Sequence, residues 1–302
     1  MPAKCYLLSP RGFCSGVART VNMAEQVLKL YGNVYITEDI IHNKIFMNEM
    51  VSRGFVKVTS IDEIPNGATV MFSAHGVSPQ TIAKTEKKEL TIIDGTCPIV
   101  KAIQNEVRNE ADHGRKIVII GNRSHAEIVA LIGYANNTEV FVVSNVTDID
   151  LLPDFSKEEV TYFTQTTLDY IKAQEVVGSL KAKVPHIRSS ADDNICYATK
   201  ERQDVVRKVA KFVDLIVVVG SSHSSNAARL REVALSSGVP SAILIDSKND
   251  FNMGILNDVD TMAITSSAST PDAILQDLVN HLKSTADVEI EDFDMSNDNG
   301  QQ

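Results

Sequence analysis

A chain of 302 residues can bury a large core, and its 43% hydrophobic and 23% charged content excludes a disordered or fibrous protein. A net charge of −10 without a basic stripe or aromatic platform argues against nucleic-acid binding, and the longest apolar runs, such as 116–121 and 214–220, fall far short of the ~20 residues of a membrane span. The N-terminus, M-P-A-K-C-Y-L-L, lacks the apolar stretch of a signal peptide, so a cytoplasmic protein is expected, in which four cysteines read as metal ligands or catalytic groups rather than disulfides.

Residues 4–9 read as a strand entering S-P-R-G-F-C-S-G-V (9–17), where Gly12 and Gly16 permit tight backbone geometry around Cys14. A helical face follows in Val17, Val21, Ala24, Val27, Leu28 and Tyr31, with Gly32 as its stop. Strands at 33–37 and 55–58 bracket I-I-H-N-K (40–44) and a helix over 45–54. The strand 68–74 ends in His75-Gly76, and Ser78-Pro79 marks a helix start. Strand 91–94 delivers D-G-T-C-P, with Cys97 ahead of a helix reaching about Gly114. Strand 116–120 ends in G-N-R-S-H-A-E-I (121–128) and a helix to about Ala135. Strand 139–143 is followed by a short helix start, and 160–167 is a strand breaking into T-Q-T-T. After D-D-N-I-C-Y-A-T (192–199) come a helix over 199–212, a strand over 214–220 ending in S-S-H-S-S-N, and a helix over 227–237. Strand 241–246, a strand breaking into hydroxyls over 261–271 and a last helix opened by Pro271 complete the body.

This alternation predicts an α/β fold with mainly parallel sheets. Cys14, Cys97 and Cys196 each stand in a loop ahead of a helix, and each is followed by a histidine, His42, His125 and His223, at 28, 28 and 27 residues. That recurrence predicts three pseudo-symmetric α/β domains, 1–96, 97–195 and 196–285. The tail 286–302 carries six acidic residues and no lysine or arginine, and it reads as disordered and solvating.

Three loop cysteines fit an iron–sulfur cluster with one iron left without a protein ligand, with zinc on three cysteines and a histidine as the alternative. Cys5 opens the apolar run C-Y-L-L and reads as a buried strand residue. Ser224, Ser225 and Asn226 ahead of one helix, Ser269 ahead of Pro271, and His75 ahead of Ser78-Pro79 resemble a phosphate pocket of free N–H groups and hydroxyls, although each alone reads as a helix cap. His125 and Glu127 sit two apart at a helix start, and Glu127 is by type the proton shuttle.

The stretches P-R-G-F-C-S-G-V, I-H-N-K, F-S-A-H-G-V-S, D-G-T-C-P, S-H-A-E, T-Q-T-T-L, N-I-C-Y-A-T-K-E-R-Q, G-S-S-H-S-S-N and S-A-S-T-P resemble, in that order, the 4-hydroxy-3-methylbut-2-enyl diphosphate reductase family over roughly residues 4–283. The resemblance implies a trefoil of three α/β parts around one central [4Fe–4S] cluster per chain, ligated by Cys14, Cys97 and Cys196, whose fourth iron takes the substrate hydroxyl. It implies that His42, His75, His125, Thr167, Ser224, Ser225, Asn226 and Ser269 bind an allylic diphosphate. The catalytic set it implies is Glu127 as proton donor with His125 and the threonines of T-Q-T-T, Thr166 or Thr167, orienting the substrate. The reaction implied is a two-electron reductive dehydroxylation to isopentenyl and dimethylallyl diphosphate, fed by a donor such as flavodoxin or ferredoxin with its reductase. The chain departs from the usual family pattern G-H-x-x-H-P-E-V at Asn122 and Ala126. The residues by themselves also admit a hydro-lyase using a three-cysteine cluster as Lewis acid, and a non-enzymatic metal-binding module.

Overall fold

The computed structural model describes residues 3–190 and 194–295. The first stretch of chain forms β1 (Ala3–Leu8), α1 (Ser15–Tyr31), β2 (Val34–Ile36), α2 (Lys44–Ser52), β3 (Phe55–Lys57), β4 (Thr69–Phe72), α3 (Pro79–Lys87) and β5 (Thr91–Asp94). The middle forms α4 (Pro98–Asp112), β6 (Lys116–Ile120), α5 (Ala126–Tyr134), β7 (Val140–Val143), α6 (Val146–Ile149), β8 (Val160–Thr164), α7 (Tyr170–Lys183) and β9 (Arg188–Ser189). The last stretch forms α8 (Tyr197–Val209), β10 (Leu215–Val219), α9 (Ser225–Ser236), β11 (Ser241–Ile245), β12 (Thr261–Ser266), α10 (Asp272–Thr285) and β13 (Val288–Phe293).

Three parallel sheets result, ordered β3-β2-β4-β5, β7-β6-β8-β9 and β11-β10-β12-β1-β13. The first two and the first four strands of the third correspond strand for strand. Parallel pairing needs helical crossovers that cover the sheet faces, so β10 and, after Lys116, β6 read as unbroken apolar runs, and β8, V-T-Y-F-T, is buried along its whole length. In the third sheet, Val205, Val206, Val209 and Leu230 pack on one face and Leu275, Leu278 and Leu282 on the other.

The chain divides into two compact units. One comprises Met1–Ser15, His42–Asn48 and Tyr197–Gln302 and holds the five-stranded sheet. The other comprises Gly16–Ile41 and Glu49–Cys196 and holds the two four-stranded sheets.

The structure corrects three expectations. β1, assigned by sequence to 1–96, is the fourth strand of the third sheet, beside β12. The strand ahead of each cysteine loop (β1, β5, β9) is thus the fourth strand of a sheet in every case. Residues 288–293, read as disordered, form an edge strand on β1 in the register Ala3↔Val288 to Leu8↔Phe293. The acidic count hid an alternating V-E-I-E-D-F pattern. Val288 and Ile290 join the core, Phe293 meets Tyr6 edge-to-face at 5.9 Å, and Glu291 and Asp292 pair with Lys4 and Arg11 at 3.0 and 2.8 Å. Residues 296–302 of the tail lie outside the described residues. Finally, α7 was not anticipated, although Asp169 caps it from Ile171 and Lys172 and Ala173, Val176 and Leu180 bury one face. Among the described residues no helix is long and apolar enough to cross a membrane.

Candidate active site

Each cysteine loop is anchored by the same hydrogen bond. The Cys97 N–H donates to the Ala74 carbonyl at 3.0 Å, the Cys196 N–H to the Thr166 carbonyl at 3.1 Å, and the Cys14 N–H to the Ala268 carbonyl at 3.1 Å. The accepting loop in each case follows the third strand of a sheet, β4, β8 or β12. The residue after each acceptor is His75, Thr167 or Ser269, three residues expected at the substrate. Cys14, Cys97 and Cys196 are half-buried, whereas Cys5 is fully buried in β1 and its thiol is pushed up to about 12 by burial. Full burial within β1 thus sets Cys5 apart in surroundings from the three half-buried loop thiols.

In the larger unit the Cys97 sulfur packs against Gly16 on α1. A Cβ at Gly16 would stand 2.6 Å from that sulfur, so only glycine lets the helix approach so closely. Glu127, on the first turn of α5, is 1% exposed. Its two carboxyl oxygens accept from the Thr166 N–H and the Thr166 hydroxyl, each at 2.8 Å. Burial raises the carboxyl to about 7, against the two hydrogen bonds from Thr166, which favour the charged form. A carboxyl group poised at neutral pH both holds and releases a proton. His125 caps α5: its Nδ1 accepts from the Glu127 N–H at 3.3 Å, which leaves Nε2 as the ring's donor. The His125 ring meets His75 edge-to-face with centroids 5.5 Å apart, and Ser73 Oγ lies 3.4 Å from His75 Nδ1. A continuous path therefore runs from the Cys196 backbone through Thr166 and Glu127 to His125 and His75.

The Asn122 departure has a structural role. Its Oδ1 accepts from the Ser124 N–H and hydroxyl at 3.1 and 2.9 Å, and its carbonyl accepts from the His125 N–H at 2.9 Å. These bonds hold the loop ahead of Ala126, where the family usually has proline. Gln165 ties this loop to the next one, its Oε1 accepting from the Asn122 N–H and its Nε2 donating to the Thr167 hydroxyl, both at 3.0 Å.

In the smaller unit the expected phosphate residues surround the N-terminus of α9. Ser224 caps it, accepting from the Ala227 N–H at 3.3 Å. Ser224 and Ser269 are 3.3 Å apart through their hydroxyls, and Ser269 donates to the His42 carbonyl at 3.1 Å. Ser267 bridges Ser269 and Thr270 at 3.2 and 2.9 Å. Asn226, on the first turn of α9, is 5% exposed, and neither its amide oxygen nor its nitrogen has a hydrogen-bond partner among the described residues. A buried amide without protein partners loses its hydration for nothing in return unless a ligand completes it. Ser225 and Asn226 are the first two residues of the helix, not residues ahead of it.

One expected equivalence shifts. His223 is exposed, and the residue 28 after Cys196 is Ser224, which caps α9 as His125 caps α5. The exact 28-residue interval was the usable signal, and the conspicuous histidine one residue earlier hid it. Gln165, Ser267 and Thr270 were not singled out by sequence, because their roles depend on partners 43 to 51 residues away or on a hydroxyl network that composition does not display.

Residues 5–283 match the family model described as LytB protein. The chain is 39% identical over 280 residues to the 4-hydroxy-3-methylbut-2-enyl diphosphate reductase of Actinobacillus pleuropneumoniae serotype 3, covering 92% of this chain and 89% of that one. It is 38% identical over 299 residues to the same-named protein of Mannheimia succiniciproducens, covering 98% and 95%. A solved structure of the E-1-hydroxy-2-methyl-but-2-enyl-4-diphosphate reductase from Plasmodium falciparum resembles it with a TM-score of 0.92 at 35% identity, over 97% of this chain and 93% of that one.

Proposed function

Because this chain belongs to the LytB family, whose curated relatives are 4-hydroxy-3-methylbut-2-enyl diphosphate reductases, and is itself a reductase of that kind, we propose that it removes the hydroxyl group of (E)-4-hydroxy-3-methylbut-2-enyl diphosphate to give isopentenyl and dimethylallyl diphosphate. We propose Cys14, Cys97 and Cys196 as ligands of one [4Fe–4S] cluster. The donor set fits: three half-buried thiols on identically anchored loops, one seated against a glycine that leaves its sulfur room. When bound, such a cluster supplies electrons singly and an iron without a protein ligand that acts as a Lewis acid. Thiolate ligation suits a reducing compartment, which favours the cytoplasm. A protein such as ferredoxin or flavodoxin would feed the electrons.

The chain's own residues carry the rest. Ser224, Ser225, Asn226 and Ser269, with His42, His75 and His125, donate to the diphosphate, and the free N–H groups of α9 add to them. Glu127 releases its proton toward the leaving hydroxyl, and Thr166 holds both carboxyl oxygens so that the acid keeps one orientation. Thr167 orients the substrate. The observation that carries this reading is the Glu127 pair of bonds to Thr166, whose carbonyl anchors Cys196: a buried acid tuned to neutral pH is wired to a candidate ligand loop. The hydro-lyase and the non-enzymatic readings lose support from the reductase names of the relatives.

The test is iron and acid-labile sulfide in anaerobically purified protein, followed by turnover with a chemical reductant. About four of each per chain are expected for such a cluster. Serine at Cys14, Cys97 or Cys196 is expected to abolish both the iron and the turnover, and serine at Cys5 to leave them in place. Zinc in place of iron, after reconstitution under exclusion of oxygen, would defeat the reading.

A further inference from the structure

The carbonyls that anchor the three cysteine loops belong to Ala74, Thr166 and Ala268, and the residue just before each is a buried polar one: Ser73, Gln165 and Ser267. Each reaches past the acceptor to the side chain two residues on. Ser73 Oγ lies 3.4 Å from His75 Nδ1, Gln165 Nε2 lies 3.0 Å from Thr167 Oγ1, and Ser267 Oγ lies 3.2 Å from Ser269 Oγ. The three residues reached are those proposed at the substrate, and each is backed by a polar group taken out of water.

At Gln165 the direction of that bond is fixed. A backbone N–H can only donate, so the Asn122 N–H, at 3.0 Å, identifies the amide atom it meets as Oε1. The other amide atom is then Nε2, which only donates, and Thr167 Oγ1 accepts from it. Gly121 packs on the same side chain: a Cβ there would stand 3.0 Å from both Cβ and Oε1 of Gln165, so the amide lies against bare backbone. The Thr167 hydroxyl thus receives one hydrogen bond and keeps its own hydrogen. Among the described residues that hydroxyl has no second partner, and Thr167 is half-buried where Gln165 is buried. A hydroxyl engaged through its lone pair from behind directs its hydrogen away from that donor.

We infer that Gln165 is a positioning residue that makes the Thr167 hydroxyl a donor, and never an acceptor, toward the diphosphate of the substrate. The inference rests on the reductase reading and deepens it. A diphosphate oxygen carries negative charge and lone pairs and can only accept, so a hydroxyl held in the donating sense makes the charge-assisted bond without first losing rotational freedom. The bond received from Gln165 also polarises the hydroxyl and strengthens the bond it gives. The same amide holds the Asn122 N–H, and the Asn122 carbonyl holds the His125 N–H, so one side chain sets two of the groups proposed at the diphosphate.

The test is Gln165→Glu, alone and combined with Thr167→Val. Glutamate keeps the shape and still accepts from the Asn122 N–H, but its second oxygen accepts from Thr167 and draws the hydrogen away from the substrate. Cluster-loaded protein is titrated calorimetrically with inorganic diphosphate and assayed for turnover with reduced methyl viologen. Gln165→Glu is expected to weaken diphosphate binding and raise the substrate KM at least about tenfold, with a much smaller change in kcat, because the bond lost is remote from the C–O bond that breaks. Thr167→Val is expected to lose a similar amount, and Gln165→Glu to add less than about twofold in its background. Gln165→Met, which places no charge beside Thr166, is expected to show the same non-additive loss more weakly, and it takes the place of the glutamate variant should that one fail to load its cluster. Unchanged diphosphate affinity in Gln165→Glu would overturn the positioning role. A loss that persists in full in the Thr167→Val background would assign it to charge repulsion or to the Asn122 loop and overturn the role equally. Native protein that binds diphosphate without viologen-driven turnover would remove the reductase reading and leave the titrations to decide this one, whereas native protein that binds no diphosphate would overturn both.

Discussion

The loop network of the larger unit and the hydroxyl cluster of the smaller one are built on opposite plans. Around Glu127 the acid itself is fully engaged: both carboxyl oxygens bond Thr166, and the Glu127 N–H bonds His125. Around α9 the hydroxyl pairs of Ser269 with Ser224 and Ser267 are long, at 3.3 and 3.2 Å, and the Asn226 amide bonds nothing among the described residues. A group that moves a proton needs a fixed position and a tuned affinity, which a saturated network in a dry interior provides. A group that binds an anion needs spare donors, and those exist only where the protein leaves its own bonds incomplete. The contrast matches the two roles proposed for these regions, proton handling around Glu127 and anion binding around α9.

The largest test of that contrast is Glu127→Gln. It keeps the shape and removes the exchangeable proton, so turnover is expected to fall about 10²- to 10⁴-fold while the cluster's absorbance and iron content stay at the native level. Turnover near native would show that the proton comes from elsewhere. The same residue makes a prediction for stability. Its carboxyl is raised in the folded protein to about 7 from the ordinary 4.5, so between those values the folded state holds a proton that the unfolded state has lost. Stability is therefore expected to decline as pH rises from 4.5 through about 7, and Glu127→Gln should remove that slope in denaturant titrations run across the range.

Asn226→Ala probes the other side. Removing a buried amide without partners is expected to leave the unliganded protein equally stable, or more stable by ~1 kcal/mol, while weakening the diphosphate substrate about 10- to 100-fold in a calorimetric titration. A loss of stability with undiminished affinity would make the amide structural and erase the difference between the two regions. The smallest effects are expected at the shifted repeat position. Ser224→Ala removes a cap and costs about 1 kcal/mol in thermal unfolding as well as substrate affinity, whereas His223→Ala, at an exposed position, changes either by less than about 0.5 kcal/mol.

Much of this was legible in the order of residues. The apolar runs of β6 and β10, the serine and proline at the start of α3, and the glycine after α1 were readable because strand burial, capping and left-handed backbone are local matters. The cysteine spacing announced the repeat because a duplicated unit keeps its length. The nine stretches that resemble the reductase family pointed to Glu127, Thr166, Ser224, Asn226 and Ser269 before any contact was known.

What the tertiary structure alone decided is long-range. β1 closes the third sheet rather than the first because pairing partners are chosen across the whole chain, and β13 covers the edge beyond it, where its acids meet Lys4 and Arg11. Thr166 rather than Thr167 holds Glu127 because backbone direction at the end of β8 selects one hydroxyl of two neighbours. The raised proton affinity of Glu127 and the unpartnered amide of Asn226 both come from burial, and burial belongs to the assembled core: a sequence names the groups that enter it, and only packing sets which of them go unsolvated and with what partner.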